Sequence, residues 1–166
     1  MTVVPLPFDP IAEARRNWDA HEWGATNQMA TATAITRAHQ ILLRRIDSAL
    51  GPLGLTFSRC EALALLWFSR QGALPLGKVG DRLQVHPTSV TSTVDRLEAD
   101  GLVNRTPHPT DRRTTLARIT PAGRRRVVQA ADALAEIDFG LDRMSPADLA
   151  RAEGALVDLR REAGDF

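Results

Sequence analysis

The sequence has few of the features that mark secreted or membrane proteins. Its single cysteine, Cys60, excludes a disulfide framework and favours a reducing compartment. No apolar run approaches the roughly 20 residues that cross a bilayer. Residues 1–10 lack the basic start and the apolar stretch of a secretory signal. We therefore expect a cytoplasmic protein without a membrane-spanning segment.

Signatures of catalysis and of metal binding are also missing. The chain has no glycine-rich phosphate loop, no zinc-ligand spacing and no Ser/His/Asp arrangement that spacing would single out. A metal site formed by His21, His39 and Glu61 is conceivable, but their spacing matches no ligand motif. We expect no enzymatic activity, no metal and no cofactor.

Neither sign of charge is in large excess. The net charge of +1 does not by itself indicate a nucleic-acid partner. Residues 76–119 hold seven basic and five acidic side chains, whereas residues 120–166 hold seven arginines and nine acidic side chains. The middle of the chain is therefore mildly basic, a distribution that permits DNA binding without requiring it.

Proline, glycine and helix-capping residues divide the 166-residue chain into helical segments. Thr56 fits the cap of the third helix, and so does Ser58, which has the spacing of a capping box with Glu61. Gly51 is expected to end the helix before it. The predicted helices run over about 10–20, 26–50, 58–70, 76–83, 87–100, 121–139 and 146–164.

The helix predicted at 87–100 has two different faces. Val90, Val94 and Leu97 lie close together on a helical wheel, which predicts a narrow buried stripe. Short hydroxyl side chains on the other faces would let the helix lie deep in a major groove and bond to base edges and phosphates. The polar residues on these faces are Thr88, Ser89, Thr91, Ser92, Asp95 and Arg96.

A β-hairpin is predicted directly after this helix. Residues 102–107 and 113–120 are rich in β-branched side chains and flank the turn Pro-His-Pro-Thr-Asp. Arg112 and Arg113 lie beside that turn, and paired cations at a hairpin tip suit a narrow, electronegative minor groove. A hydroxyl-bearing helix followed by a basic hairpin indicates a unit that reads duplex DNA.

We predict one domain over 1–166, mainly α-helical with a small β-hairpin wing. Residues 55–120 would form a winged helix-turn-helix lobe. Residues 9–50 and 121–164 would form dimerisation helices, since the apolar residues of the last two helices recur at steps of three and four and have no partner in a compact lobe. Packing against a second copy would bury these stripes, so we expect a homodimer.

Several short motifs follow one another over about 26–140. Residues 95–103 read DRLEADGLV, residues 111–113 read DRR and residues 119–123 read ITPAG. Shorter matches are Leu-Thr at 55–56, Leu-Gln-Val at 83–85 and Val-Thr at 90–91. In this order the motifs resemble the multiple antibiotic resistance regulator (MarR) family, winged-helix repressors of bacteria and archaea. Gln84 replaces the family's turn glycine, so a left-handed backbone is expected there.

The resemblance implies that the helix from Pro87 enters the major groove and that the wing reaches the adjacent minor groove. Asp111 would fix the hairpin tip, and Asp95 would pair with a wing arginine to set the wing against the helix. Two copies would read a palindromic operator with half-site centres about 10 bp apart. The expected DNA contacts are Lys78, Thr88, Ser89, Thr91, Ser92, Arg96, Arg112 and Arg113.

Members of the family commonly release DNA when a small aromatic or phenolic ligand binds between the dimer helices and the winged lobe. The effector-binding candidates are Arg15, Trp18, His21 and Glu61. Trp18 resembles a tryptophan in the added N-terminal helix of urate-responsive relatives, although core or dimer packing is the alternative. Cys60 has two interpretations, an oxidation sensor and a buried inert thiol.

The sequence thus predicts a sequence-specific transcriptional regulator, a ligand-responsive repressor that binds an inverted-repeat operator as a homodimer. The alternative is a winged-helix protein-interaction module that no longer binds DNA. The near-neutral net charge supports that alternative, whereas the arginine pair of the wing and the hydroxyl face argue against it.

Overall fold

The computed structural model describes residues 6–111 and 113–166. Its strands are β1 (Ala73–Pro75), β2 (Val103–Pro107) and β3 (Thr115–Ile119). Its helices are α1 (Pro10–Ala20), α2 (Thr26–Leu50), α3 (Phe57–Phe68), α4 (Leu76–Leu83), α5 (Pro87–Ala99), α6 (Pro121–Glu136) and α7 (Pro146–Glu162). The fold is mainly helical with a small sheet, which confirms the predicted fold class.

The capping box predicted for α3 is wrong. Thr56 is the N-cap residue, but its side chain makes no capping hydrogen bond, and Ser58 lies inside the helix. The free N–H of Phe57 instead donates to the Asp47 carboxylate of α2, at 2.7 Å. A residue of α2 therefore caps α3, and this hydrogen bond ties the start of α3 to the last turns of α2.

One predicted helix end is confirmed and another is wrong. Helix α2 ends at Leu50 with Gly51 as its C-cap residue, as predicted, and Gly51 then begins a short 3-10 turn that ends at Gly54, with φ +69°. Helix α6 ends at Glu136 rather than near Phe139, because Asp138 and Phe139 both take positive φ. At the end of α6 a tight turn thus stands where nearly one more turn of α-helix was predicted.

The sheet has one strand more than the predicted hairpin. Strand order is β1-β3-β2, and both pairings are antiparallel. Ala73 lies opposite Arg118 and Val103 lies opposite Ile119. Because β1 leads directly into α4, its pairing with β3 ties the base of the wing to the start of the helix-turn-helix.

The core lies between α2, α3, the helix-turn-helix and the sheet. Val90, Val94 and Leu97 of α5 are all at most 3% exposed, as the helical wheel predicts. They pack in one cluster with Leu63 and Leu66 of α3. Burial of this stripe fixes which face of α5 points outward, and the outward face is the polar one.

The turn between α4 and α5 has the strained backbone expected from its sequence. Gln84 adopts φ 50° and ψ 43°, a left-handed conformation that is strained for a residue with a side chain and unstrained for glycine. Its side-chain amide donates to Asp165 at the end of the chain. Asp165 also accepts from the Arg160 Nε at 2.5 Å, so the C-terminal end of α7 is tied to this turn.

Helices α1 and α7 bury none of their residues within the described chain. Helix α1 packs on α2, while α7 leaves Leu149, Leu156 and Leu159 between 37% and 53% exposed.

Among the described residues no single helix is long and apolar enough to span a membrane. One bent pair, α2 with its 3-10 extension followed by α3, passes that test on length and composition alone.

Candidate nucleic-acid interface

The outward face of α5 carries a cluster of exposed hydroxyl groups. Thr88, Ser89, Thr91 and Ser92 are all exposed. The Thr91 hydroxyl donates back to the carbonyl of Pro87 at 3.1 Å, which leaves its lone pairs outward. The other three hydroxyls make no hydrogen bond to any part of the chain that the structure describes. This face can therefore donate to and accept from groups of a partner.

The start of α5 is capped by a histidine. His86 is the N-cap residue, and its Nδ1 accepts from the N–H of Thr88 at 3.3 Å. Pro87 occupies the first helical position, where no N–H is needed. The N–H groups of Ser89 and Val90 both donate to the His86 carbonyl, at 2.8 and 3.2 Å, so His86 satisfies the whole first turn. The positive end of the helix dipole still favours an anion such as a phosphate there.

The hairpin tip is held closed by the Asp111 side chain. Its carboxylate accepts from the N–H of Arg113 at 3.0 Å and from the Thr114 hydroxyl at 2.5 Å. These two hydrogen bonds hold the pKa of Asp111 below its usual value. The N–H of His108 donates to the Thr114 carbonyl at 3.0 Å across the loop. Arg113 is exposed beside this tip, and Arg112 lies outside the described residues.

One arginine joins the wing to the recognition helix. Arg105 of β2 bonds to the Asp95 carboxylate at 2.6 Å and to the Glu98 carboxylate at 2.7 Å. The N–H of Arg105 also donates to Glu98, at 2.8 Å. Its hydrogen bonds to Glu98 lower the pKa of that carboxyl, the backbone bond contributing most. Asp95 was predicted to pair with a wing arginine, and the arginine that it contacts is Arg105 of β2. Arg105 is not one of the two arginines at the hairpin tip.

Sequence reasoning missed Arg105 and gave Glu98 only as part of a motif. Glu98 follows Asp95 by three residues on one helix face, a spacing that could have predicted a shared cation. Nothing local marks Arg105 as that cation, because its partners come from a different element. The remaining basic candidates, Lys78 of α4 and Arg96 of α5, are exposed.

Three of the four predicted effector residues lie in or directly after α1 and bond to nearby parts of the chain. Arg15 bonds to the Asn27 side chain, and the Trp18 indole N–H donates to the Gly24 carbonyl at 2.7 Å. The His21 Nδ1 lies 2.7 Å from the Asn17 carbonyl oxygen. Their polar groups thus already have partners within the chain, which favours a packing role for this segment.

Glu61, the fourth effector candidate, lies apart from these three on α3. It is half-buried, and burial raises its pKa. Burial likewise raises the pKa of the adjacent Cys60 thiol, and the nearby Glu61 charge adds to the effect. A buried thiol held in its protonated form is a poor nucleophile, which favours the inert interpretation of Cys60.

A groove of about 400 Å³ lies between α1 and α2. None of the four effector candidates lines it; its walls are Pro10, Ile11, Ala32, Thr33, Thr36, Arg37 and Gln40.

Within the described ranges, no three His, Cys, Asp or Glu side chains come together as a metal site.

A three-stranded sheet, a helix-turn-helix and a hairpin wing beside an exposed helix face define a winged helix-turn-helix protein. The MarR family model matches residues 57–115. The solved structure of Sco5413, a MarR family transcriptional regulator from Streptomyces coelicolor, is 49% identical with a TM-score of 0.80. That similarity covers 86% of this chain and 99% of Sco5413. The chain belongs to the MarR family of transcriptional regulators.

Two further similarities are more limited. The HTH-type transcriptional regulator MhqR of Bacillus subtilis (strain 168) is 34% identical over 89 residues, 54% of this chain. The chain matches 60% of the length of that regulator. Sco3205 of Streptomyces coelicolor, a MarR family regulator solved in complex with DNA, is 20% identical with a TM-score of 0.72 over 85% of this chain and 89% of its own. The likeness to Sco3205 concerns the fold.

Proposed function

We propose that this chain binds duplex DNA as a homodimer and represses transcription from an inverted-repeat operator. In this proposal α5 lies in the major groove, and the wing tip reaches the adjacent minor groove. The contacts would come from Thr88, Ser89, Thr91, Ser92, Arg96 and Lys78, and from Arg113 and Arg112 of the wing.

The observation that carries the proposal is the fixed angle between α5 and the wing. Arg105 is a residue of β2, and its guanidinium and its backbone N–H all bond to carboxylates of α5, so these bonds hold the helix and the hairpin at one angle. Asp111 closes the tip that presents Arg113. A surface that must fit two neighbouring grooves benefits from such preorganisation, because less entropy is lost on binding.

Dimerisation is supported by the apolar residues that the single chain leaves uncovered. Leu149, Leu156 and Leu159 follow one side of α7 and remain partly exposed. Burial of these side chains against a second copy would place two recognition helices about one turn of DNA, roughly 34–36 Å, apart. An inverted repeat with half-site centres about 10 bp apart matches that spacing.

The first prediction concerns Arg113 and salt. Arg113→Ala removes one phosphate-neutralising cation from each protomer, so we expect weaker binding to all duplexes. We also expect the slope of log affinity against log salt to fall in magnitude by about 2 per dimer. Fluorescence anisotropy with a labelled duplex at several salt concentrations measures both quantities.

The matched control is Arg143→Ala, since Arg143 is equally basic, 90% exposed in its side chain and outside the winged lobe. Its affinity and slope should match those of the wild type. Equal slopes for wild type and Arg113→Ala would contradict the role of the wing. The absence of any salt-dependent duplex binding by the wild type would favour the protein-interaction module instead.

Regulation by a small aromatic or phenolic effector belongs to the same proposal. The α1–α2 groove supplies space for such a ligand, and Arg37 and Gln40 supply polar groups at its wall. A DNA-binding repressor acts where the DNA is, so we place the protein in the cytoplasm.

A further inference from the structure

The same tripeptide occurs at both elements of the candidate DNA interface. Residues 86–88 and residues 108–110 both read His-Pro-Thr. The first copy opens the recognition helix α5, and the second opens the turn at the tip of the wing. Two of the four histidines of the chain therefore lie where DNA contacts are expected.

Both histidines use the same nitrogen in the same way. In the first copy the Thr88 N–H donates to the His86 Nδ1 at 3.3 Å. In the second copy the Thr110 N–H donates to the His108 Nδ1 at 3.3 Å, and the Asp111 N–H donates to it at 3.2 Å. Each imidazole thus replaces the carboxylate, amide or hydroxyl oxygen that usually caps such a turn.

This use of Nδ1 determines where the proton of the ring lies. A backbone N–H is only a donor, so the nitrogen that accepts from it carries no proton. In a neutral imidazole the proton then lies on Nε2. In the part of the chain that the structure describes, the Nε2 atoms of His86 and His108 have no hydrogen-bond partner. Each imidazole consequently has one N–H group, at Nε2, that can donate to a partner outside the chain.

We propose that His86 and His108 each bind a DNA phosphate through Nε2–H as neutral donors. The proposal rests on the DNA binding proposed above. His86 would hold the backbone beside the major groove at the start of α5, and His108 would hold it beside the wing. A phosphate oxygen is the partner that a fixed N–H donor meets at these positions, and phosphate contacts set the register of the protein on the duplex.

Substitution by serine can separate the two roles of each histidine, which are to contact a DNA phosphate and to cap its turn. Serine also caps such turns through its hydroxyl oxygen but cannot reach as far as an imidazole Nε2. We expect His86→Ser and His108→Ser to melt at the temperature of the wild type, whereas His86→Ala, which loses the cap, melts lower. At pH 8, where free imidazole is neutral, each serine variant should bind DNA on the order of 10-fold more weakly, since a dimer loses two hydrogen bonds.

The salt dependence tells a neutral donor from a charged one. Because loss of a neutral donor leaves the number of neutralised phosphates unchanged, the salt slope should equal that of the wild type, unlike that of Arg113→Ala. A slope reduced by about 2 per dimer in a serine variant would overturn the neutral form. His39→Ser, which removes an exposed histidine of α2, is the matched control and should bind like the wild type.

Nitrogen-15 NMR of the imidazole rings gives a readout that is independent of affinity. His86 and His108 should show the tautomer protonated at Nε2, and these signals should shift when duplex is added. Protonation at Nδ1, or wild-type affinity in both serine variants, overturns the inference while DNA binding itself stands. If the wild type binds no duplex, the proposed function fails instead.

Discussion

At the scale of single residues, Arg105 connects the wing to the recognition helix. Its guanidinium bridges Asp95 and Glu98 of α5, and its side chain is only 26% exposed. Each ion pair alone at a surface contributes little, but one cation shared by two carboxylates and backed by a backbone hydrogen bond restricts geometry more than either pair. The arrangement sets the wing against α5 before DNA is present.

This cluster should be sensitive to acid. The pKa of Glu98 is lowered in the folded protein, so its charged form stabilises the fold above the ordinary glutamate pKa of about 4.3. That contribution is lost as the pH falls through the lower folded-state value. We expect Glu98→Gln to melt below the wild type by a constant margin between pH 5 and 8, and the margin to shrink below about pH 4.

Differential scanning fluorimetry across this pH range measures the margin. Glu153→Gln makes the same carboxylate-to-amide change on α7, away from the winged lobe, and should show no such trend. A margin for Glu98→Gln that does not change with pH would mean that the charge of Glu98 does not hold the wing.

At the scale of elements, the junction between the wing and α6 explains one family motif physically. Thr120 caps α6 by accepting from the Gly123 N–H at 3.0 Å, and its hydroxyl donates to the Gly101 carbonyl at 2.8 Å. Gly123 then lies directly against the carbonyl of Leu102. A threonine, a proline and a glycine at these spacings let α6 begin in contact with the turn that ends α5.

Gly123→Ala should therefore disrupt this junction. An added Cβ would overlap the Leu102 carbonyl oxygen and lie 2.8 Å from Ile119 Cγ1. We expect a loss of about 1–3 kcal/mol in the free energy of unfolding, typical of overpacking in a rigid site. Urea denaturation followed by circular dichroism measures it.

Gly154→Ala is the control, because a Cβ at this helical position of α7 meets nothing within 4 Å. Relief of helical glycine there should raise stability by about 0.5–1 kcal/mol. If both substitutions change stability in the same direction, the close approach at Gly123 is not the cause.

At the scale of the whole molecule, the chain has a well-buried winged lobe and a C-terminal helix that no part of the described chain covers. Helix α7 is tied to the lobe at its far end, where Gln84 and Arg160 both bond to Asp165. Any partner that covers α7 would therefore also influence the turn of the helix-turn-helix. This linkage is one physical route from a dimer interface to the DNA-binding surface.

Leu159→Glu tests the proposed dimer. Leu159 is 53% exposed in the single chain, and a charge there would oppose its burial against a second copy. We expect a fold unchanged by circular dichroism and a molecular mass by light scattering that falls from dimer to monomer. Operator affinity should fall with it.

Gly154→Glu places the same charge on the opposite side of α7 and should leave the mass unchanged. A dimeric Leu159→Glu variant, or a monomeric wild type, would contradict the proposed interface.

Sequence alone determined the features that depend on neighbours within a few residues. The buried stripe of α5, the proline starts of α5, α6 and α7, and the left-handed turn at Gln84 are all confirmed. Apolar periodicity, N-caps and the need for positive φ depend on residues that are close in sequence. Each can therefore be predicted from a short segment of the chain. The order of the short motifs over about 26–140 also resembled that of the MarR family.

Tertiary structure decided what depends on contacts between distant parts of the chain. Strand β1 has three residues and exists because β3 pairs with it, the cap of α3 comes from Asp47, and the cation for Asp95 and Glu98 is Arg105. No short segment records these partners, because a hydrogen bond or ion pair between elements depends on where the folded chain brings them. The relative placement of α5 and the wing therefore follows from tertiary packing. The hydroxyl groups of the helix and the basic side chains of the wing could be predicted from residues 83–120 alone.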